Sequence, residues 1–201
     1  MKIARSDSAT KVKLLEAAQR LMLAKGFTAT SVDEICEAAG VTKGSFFHYF
    51  KSKEDLGKAV LDHFMSSMSQ TLQDSPYFKN KDPLKRIYGY VDFMIEISKD
   101  PQRRSGCLLG NFAQVLSDTH PDIREACAGH FSWWAEMLSH ELDEAKNRHA
   151  IKEVIDTRAL AEHFIALFEG SLTLAKTRQD TGIIERNLKN YKQYLKSIFG
   201  K

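Results

Sequence analysis

The sequence predicts an all-α protein, and three observations carry that expectation. Only 11 Gly and 4 Pro punctuate its 201 residues. Between those breaks, apolar residues recur at offsets of three and four, which lines up one face of a 3.6-residue helix. Residues that start and stop helices fall at the ends of the periodic runs. With 43% apolar residues, and 29 Lys plus Arg against 26 Asp plus Glu, the chain can bury a full core and is not a disordered polymer. No apolar run approaches the ~18 residues that span a bilayer. The polar start Met1-Lys2-Ile3-Ala4-Arg5-Ser6-Asp7 lacks the apolar core of a secretory signal, so a cytoplasmic protein with no membrane partner is expected.

Three short helices are expected over roughly residues 9 to 50. In the first, Leu14, Ala18, Leu21 and Met22 form one stripe, Gly26 stops the helix, and Phe27 can fold back on its end. Ser31-x-x-Glu34 reads as a capping box: the Ser side chain accepts from the N–H three residues on, and the Glu side chain reaches back to the Ser31 backbone. The second helix should run through Ala39 and end at Gly40. Thr42 can cap the third, which carries Phe46, Phe47 and Phe50, before Ser52 restarts the chain with Asp55 at the matching position.

The tight turn Ala39-Gly40-Val41-Thr42 between the second and third helices is a helix-turn-helix signature. A helix of about 10–12 Å diameter fits the major groove, and the short turn holds its neighbour across the backbone. Phe46 and Phe50, four apart, suit core packing. Thr42, Lys43, Ser45, Phe47, His48 and Tyr49 offer donors, a cation and aromatic edges, and Gly44 lets the backbone approach a phosphate. Thr30 and Ser31 precede the second helix, whose free N–H groups suit an anion. Lys53, at the start of the fourth helix, could grip another phosphate. Charge follows the same division: up to Lys53 there are nine basic and five acidic residues, a net +4, while the remainder has 20 and 21, a net −1.

Beyond the head, Leu56, Val60, Phe64, Met68 and Leu72 mark a fourth helix that leaves directly, without a Gly or Pro linker. Asp82-Pro83 starts a fifth, with Leu84, Ile87, Tyr88, Val91 and Ile95 inside. A sixth follows Gly106, and a long seventh runs from about Pro121. The last two occupy about 156 to 178 and 182 to 199. These two are unusually apolar, with Leu160, Phe164, Leu167, Phe168 and Leu172 on one and Ile184, Leu188, Tyr191, Leu195 and Ile198 on the other. Packing within one chain accounts for half of these residues, and a four-helix bundle with a second copy accounts for the rest.

The stretch from Val41 to Leu56, Val41-Thr42-Lys43-Gly44-Ser45-Phe46-Phe47-His48-Tyr49-Phe50-Lys51-Ser52-Lys53-Glu54-Asp55-Leu56, resembles the DNA-binding domain of the TetR family of repressors. Gly26-Phe27-x-x-Thr30-Ser31-Val32-x-x-Ile35 and Ala38-Ala39-Gly40 extend the match to about 50 positions. The resemblance implies a homodimeric all-helical regulator of nine or so helices. Its DNA-binding head would be residues 1–53 and its effector-binding and dimerisation body residues 54–201. A dimer spaces two recognition helices by one DNA turn, ~34–36 Å or a multiple, and so demands a palindromic operator in double-stranded DNA. One departure is Phe47, where the family commonly has a Tyr whose hydroxyl can reach phosphate.

The effector is the less determined part. Tyr90, Phe93, Met94, Phe112, Trp133, Trp134, Met137 and Phe168 could line an apolar cavity or serve as plain core, since pockets and cores share this composition. Cys107 is more distinctive. The run Arg103-Arg104-Ser105-Gly106-Cys107-Leu108-Leu109-Gly110-Asn111-Phe112 puts a thiol in the first turn of a helix just beyond two arginines, and both influences favour the nucleophilic thiolate. With Glu169-Gly170-x-x-x-Leu174-Ala175-Lys176, it resembles the subgroup of TetR regulators that respond to reactive electrophiles. The subgroup implies Cys107 as the residue that senses an electrophile or an oxidant, with Lys176 beside it. The alternatives are that Cys107 is a small hydrophobe lining a pocket for a noncovalent effector and that Lys176 is a solvated charge near a helix C-terminus. Cys36 and Cys127 fall among apolar helix positions and read as structural.

Other chemistries fail on spacing. His140-Glu141 opens like a zinc-protease motif, but Glu144 stands where a second histidine is required. No phosphate-cradling glycine loop or nucleophile elbow occurs, so no catalytic residue, metal or cofactor is expected. The competing class is a small helical enzyme or carrier that keeps the head only as a fold element.

Overall fold

The computed structural model describes residues 2–100, 106–151 and 154–200, with side chains from Ala9 onward. Among the described residues there are nine α-helices, one 3-10 helix and no strand. They are α1 (Lys2–Lys25), α2 (Val32–Ala39), α3 (Lys43–Tyr49), α4 (Lys53–Gln73), the 3-10 helix (Pro76–Lys79), α5 (Pro83–Ser98), α6 (Leu108–Leu116), α7 (Pro121–Arg148), α8 (Thr157–Arg178) and α9 (Gly182–Phe199). α1 begins at Lys2 rather than near residue 9, because no Gly or Pro interrupts Lys2 to Lys25.

The helix ends follow their local chemistry. Gly26 adopts φ 87°, and its N–H closes the first helix on the Met22 carbonyl at 2.9 Å. The Ser31 capping box is complete: Glu34 N–H donates to Ser31 Oγ at 3.2 Å, and Ser31 N–H donates to Glu34 Oε2 at 2.9 Å. Asp82 caps α5 by accepting from Leu84 N–H at 3.0 Å, with Pro83 in the first turn. At α4, Ser52 Oγ accepts from Asp55 N–H at 3.1 Å, but the Asp55 carboxylate reaches back to Lys51 N–H at 3.0 Å rather than to Ser52.

The chain divides into two compact units, residues 1–68 with 108–128, and residues 69–107 with 129–201, so α4 and α7 contribute to both. In the first, Leu14, Ala18 and Met22 of α1 and Ile35 of α2 are buried with Phe46 and Phe50 around α3. Phe46 is fully buried, a burial that stabilises by about 1.5–3 kcal/mol. Phe112 of α6 belongs to this core, its ring set edge-on to Phe27 at 5.5 Å.

The second unit is built around rings. Phe164 and Phe168 of α8 stack at 6.2 Å, Tyr90 of α5 lies 5.3 Å from Phe164, and Trp134 of α7 meets Phe168 at 6.0 Å. The polar tips of these rings are satisfied: Trp134 Nε1–H donates to the Tyr90 hydroxyl at 2.7 Å, and the Tyr191 hydroxyl donates to the Leu160 carbonyl at 2.8 Å. Arg86 Nε donates to Glu141 at 2.8 Å and its other arm pairs with Glu144, joining α5 to α7.

One expectation changes here. Leu160, Phe164, Phe168, Ile184, Leu188, Tyr191 and Leu195 are all buried within a single chain. Leu167, Leu172 and Ile198 are half-buried. More than half of the apolar residues of α8 and α9 therefore pack inside one protomer, because α9 lies along both α8 and α5. Leu174 and Tyr194 remain exposed.

Candidate nucleic-acid interface and effector site

The turn between α2 and α3 is fixed by one left-handed residue. Gly40 has φ 66° and ψ 38°. Its N–H donates to Glu37 O at 3.1 Å while Val41 N–H donates to Cys36 O at 3.0 Å, the paired bonds of a Schellman ending. Thr42 then caps α3, accepting from Ser45 N–H at 3.1 Å. The result is a two-faced seven-residue helix. Phe46 and the following Phe50 point inward, while Thr42, Lys43, Gly44, Phe47 and His48 are exposed and Ser45 and Tyr49 half-exposed. Phe47 is 54% exposed despite its apolar ring, which leans on Phe46 at 5.1 Å.

Several of the expected DNA contacts are already engaged. Lys43 Nζ pairs with Asp33 Oδ1 at 2.8 Å on the open surface, a contact that raises the lysine's proton affinity. Ser31 Oγ is held by Glu34. Lys25 beside Glu34, followed by the two Ser31 bonds, holds the Glu34 carboxyl at about 2, so the capping carboxylate stays ionised.

Thr30 and Lys53 depart from the phosphate-gripping expectation. Thr30 is buried, and its hydroxyl donates to the Gly26 carbonyl at 2.8 Å. Lys53 Nζ donates to the carbonyls of Phe27 at 3.2 Å and Thr30 at 3.1 Å and sits 4.5 Å from the centre of the Phe27 ring. Both side chains clamp the loop between α1 and α2, whose carbonyls no helix satisfies. A lysine 26 residues from Phe27 gives no sequence signal of that task.

The expected effector residues are only partly brought together. Tyr90, Trp134 and Phe168 share the aromatic core of the second unit. Phe93 is half-buried and meets Tyr77 at 5.8 Å. Phe112 packs on Phe27 in the first unit, because α6 turns that face toward the α1–α2 loop. Met94 is buried, Met137 half-buried and Trp133 exposed. Lys176 lines a cavity of about 110 Å³ with Ser98, Leu172, Ala175, Gln179, Thr181 and Ile184.

Cys107 is half-buried and immediately precedes α6 rather than standing in its first turn, because Gly106, at φ 96°, turns the chain one residue earlier. Arg103, Arg104 and Ser105 lie outside the described residues. The neighbour that spacing alone gives no task is the half-buried Glu169 on α8, whose carboxyl has its proton affinity lowered by interaction with the Cys107 side chain. Burial pushes the Glu169 carboxyl up to about 7, that interaction offsetting part of the rise. Cys36 and Cys127 are buried, burial raising the thiol proton affinity of both and taking Cys127 to about 11. Among the described residues no group of three or more His, Cys, Asp or Glu is arranged to hold a metal ion, and no helix is long and apolar enough to cross a membrane.

A seven-residue helix with an outward polar side, held by the three-residue turn Gly40-Val41-Thr42 against a second helix, defines a helix-turn-helix DNA-binding regulator. Residues 14–60 match the description "Bacterial regulatory proteins, tetR family", and residues 83–191 match "Tetracyclin repressor-like, C-terminal domain". The repressor DhaR of Mycobacterium sp. (strain GP1) is 30% identical over 186 residues, 92% of this chain and 88% of that protein. The repressor NemR of Escherichia coli (strain K12) is 27% identical, covering 92% of this chain and 94% of NemR. The crystal structure of E. coli NemR in its reduced form superposes with a TM-score of 0.80 at 28% identity, over 94% of this chain and 97% of that one. The chain belongs to the TetR family of transcriptional regulators. It is a DNA-binding transcription factor and not an enzyme. Repressors of this family bind operator DNA as homodimers and are modulated by small-molecule effectors.

Proposed function

We propose that this protein is a cytoplasmic repressor that holds a palindromic operator as a homodimer and is released when a reactive carbon electrophile is captured at Cys107. The observation that supports the DNA-reading half is the two-sidedness of α3: Phe46 and Phe50 are consumed in the core, so the side bearing Thr42, Lys43, Gly44, Ser45, Phe47, His48 and Tyr49 is left for the major groove. In this reading residues 1–53 read the DNA, with Ser31 and the α2 N-terminus near phosphate, and residues 54–201 carry effector binding and dimerisation. Leu174 and Tyr194 extend the dimer surface on α8 and α9.

The effector half rests on Cys107. It is the least buried of the three thiols and interacts with an acid whose proton affinity burial has raised, whereas burial raises the proton affinity of the other two thiols. The likeness to NemR, solved in a reduced form, supports the same reading. To move the operator-binding state from 99:1 to 1:99, capture must favour the released state by about 5.5 kcal/mol, which a covalent bond can supply. The second reading, a noncovalent effector against Tyr90, Trp134 and Phe168, is favoured by the carboxylate beside Cys107, since a negative neighbour opposes thiolate formation.

Selection from a random duplex library tests the first half: enrichment of a dyad-symmetric site is expected, and sequence-blind binding would overturn it. For the second half, N-ethylmaleimide should release the wild type from that site but not Cys107→Ser. Release of both would leave the noncovalent reading standing.

A further inference from the structure

His120 stands between α6 and α7, outside the helix-turn-helix, yet its ring closes on the loop that precedes α2. It meets Phe27 edge-on at 5.5 Å, and its Nε2 lies 3.9 Å from Glu54 Oε1 in the first turn of α4. Its Nδ1 shares a 2.8 Å hydrogen bond with the Thr119 hydroxyl. That hydroxyl serves either protonation state: it donates to a bare Nδ1, or it rotates and accepts once Nδ1 carries a proton. Thr119 is therefore indifferent to the charge on the ring, and Glu54 is not. The Glu54 carboxyl is held below its ordinary value, first by the Ser52 hydroxyl, then by its own backbone N–H, with the charges of His120 and Lys53 adding to them against a small opposing burial. It is thus ionised throughout the range in which an imidazole titrates.

The other charges around this ring are engaged with partners of their own. Lys58 of α4 pairs with Asp122 of α7 at 3.2 Å. Arg124 of α7 donates to the Ser117 carbonyl at 3.3 Å, and its backbone N–H donates to the His120 carbonyl at 3.0 Å. Lys53 spends its ammonium on the carbonyls of Phe27 and Thr30 and lies over the Phe27 ring at 4.5 Å, a like charge that a protonated His120 must outweigh. The group facing Nε2 is the Glu54 carboxylate. What Phe27 leads to gives these contacts their consequence: Ser31, four residues on, caps α2, and the Gly40 turn holds α3 against α2. A residue that fixes Phe27 against α4 bears on how α3 is presented.

We infer that His120 is a positioning residue for operator reading, and that its imidazolium, paired with Glu54, fastens the α1–α2 loop to α4 and makes operator affinity rise as pH falls from 8 to 6. The sign follows from linkage. A proton that strengthens a contact belonging to the reading arrangement is held more tightly in that arrangement, so lowering pH populates it. With the ring neutral, the ionic part is lost and the packing on Phe27 stays. Pairs this open to solvent are individually weak, and with two copies in a homodimer the expected change in affinity is about fivefold.

The test is fluorescence anisotropy of the full chain on its selected operator at pH 6 and pH 8, at one salt concentration. The chain holds seven histidines, so the quantity read is each variant's ratio of affinity at pH 6 to affinity at pH 8, set against that of wild type. His120→Gln should lose about fivefold of that ratio through weaker binding at pH 6. Glu54→Gln, which keeps His120 and removes its partner, should lose the same. His120→Arg, charged at both pH values, should bind more tightly at pH 8 than His120→Gln. A histidine with a merely structural role would lower affinity equally at both pH values, and that result overturns the inference. So does a Glu54→Gln ratio equal to that of wild type, which also decides the matter if His120→Gln fails to fold. Should wild type select no operator at all, the DNA-reading proposal falls and this inference with it; a wild-type operator with an unchanged His120→Gln ratio removes the inference alone.

Discussion

Glu169 makes the stability of this protein depend on pH in a direction opposite to that of most carboxylates. Its folded proton affinity is raised from 4.5 to about 7, chiefly by burial. The native state therefore binds the proton more tightly than the unfolded chain between pH 4.5 and 7. Below 4.5 both states are protonated and the side chain carries no ionic penalty. As pH rises through 7 the native state must ionise a buried group, and stability is lost. A rise of about 2.5 pKa units at ~1.36 kcal/mol each corresponds to about 3 kcal/mol. Glu169→Gln keeps the shape and removes the charge, so its stability relative to wild type should improve by about 3 kcal/mol between pH 4.5 and pH 8. For a chain of this size that is about 6–12 °C in Tm. Urea unfolding followed by circular dichroism at fixed protein concentration reads the difference, the fixed concentration being needed because dimerisation adds to apparent stability. The interaction with Cys107, which lowers the carboxyl's proton affinity, is already contained in the value of about 7. Parallel pH curves for the two proteins would refute the placement of the Glu169 carboxylate in a desolvated site.

Three further outcomes follow from the head. Lys43→Ala should weaken operator binding and reduce the salt slope by about 1, whereas Asp33→Asn, which removes the ion-pair partner 2.8 Å from Lys43, should tighten binding several-fold; fluorescence anisotropy against salt concentration measures both. Lys53→Met should cost about 1–2 kcal/mol in chemical unfolding, because two carbonyls lose a charged donor, and it should leave the salt slope unchanged if the ammonium stays on the loop. Gly40→Ala meets no atom within 4 Å but must hold φ 66°, so a loss of about 1–2 kcal/mol in thermal unfolding is expected from backbone strain alone.

The parts of this fold that were legible in the sequence are the parts fixed within a few residues. The Ser31 box, the Thr42 cap, the Asp82-Pro83 start and the left-handed Gly26 and Gly40 each depend on neighbours one to four positions away. Where a residue's partner is distant, spacing is silent. Lys53 reads as a basic residue at a helix start, and only the folded loop shows that its ammonium caps two carbonyls. Cys107 and Glu169 are 62 positions apart on different elements, so the run around the thiol points to Arg103 and Arg104, which lie outside the described residues, and gives no sign of Glu169. Apolar periodicity on α8 and α9 has a different limitation. It marks a face as buried without saying by what, and here one chain covers most of what a second copy was expected to share.

Phe27 shows why the compact unit that holds α3 is larger than the helix-turn-helix itself. Sequence spacing marks it only as a residue able to fold back on α1. In the folded unit its ring is covered on several sides: Lys53 lies over it at 4.5 Å, Phe112 and His120 meet it edge-on at 5.5 Å each, and a Cβ added to Gly57 would stand 2.9 Å from it. His120 also faces Glu54 at 3.9 Å, and Lys58 reaches Asp122 at 3.2 Å. The loop that begins with Gly26 and Phe27 ends in the Ser31 cap, so these contacts from α4, α6 and the start of α7 bear on the position of α2, against which α3 is held by the Gly40 turn. A fragment ending at Lys53 would strip Gly57, Phe112 and His120 from the ring and leave a buried Phe exposed, at a cost of about 1.5–3 kcal/mol. The compact unit accordingly takes in residues 54–68 and 108–128. The reading helix owes its orientation to residues that the helix-turn-helix pattern does not contain.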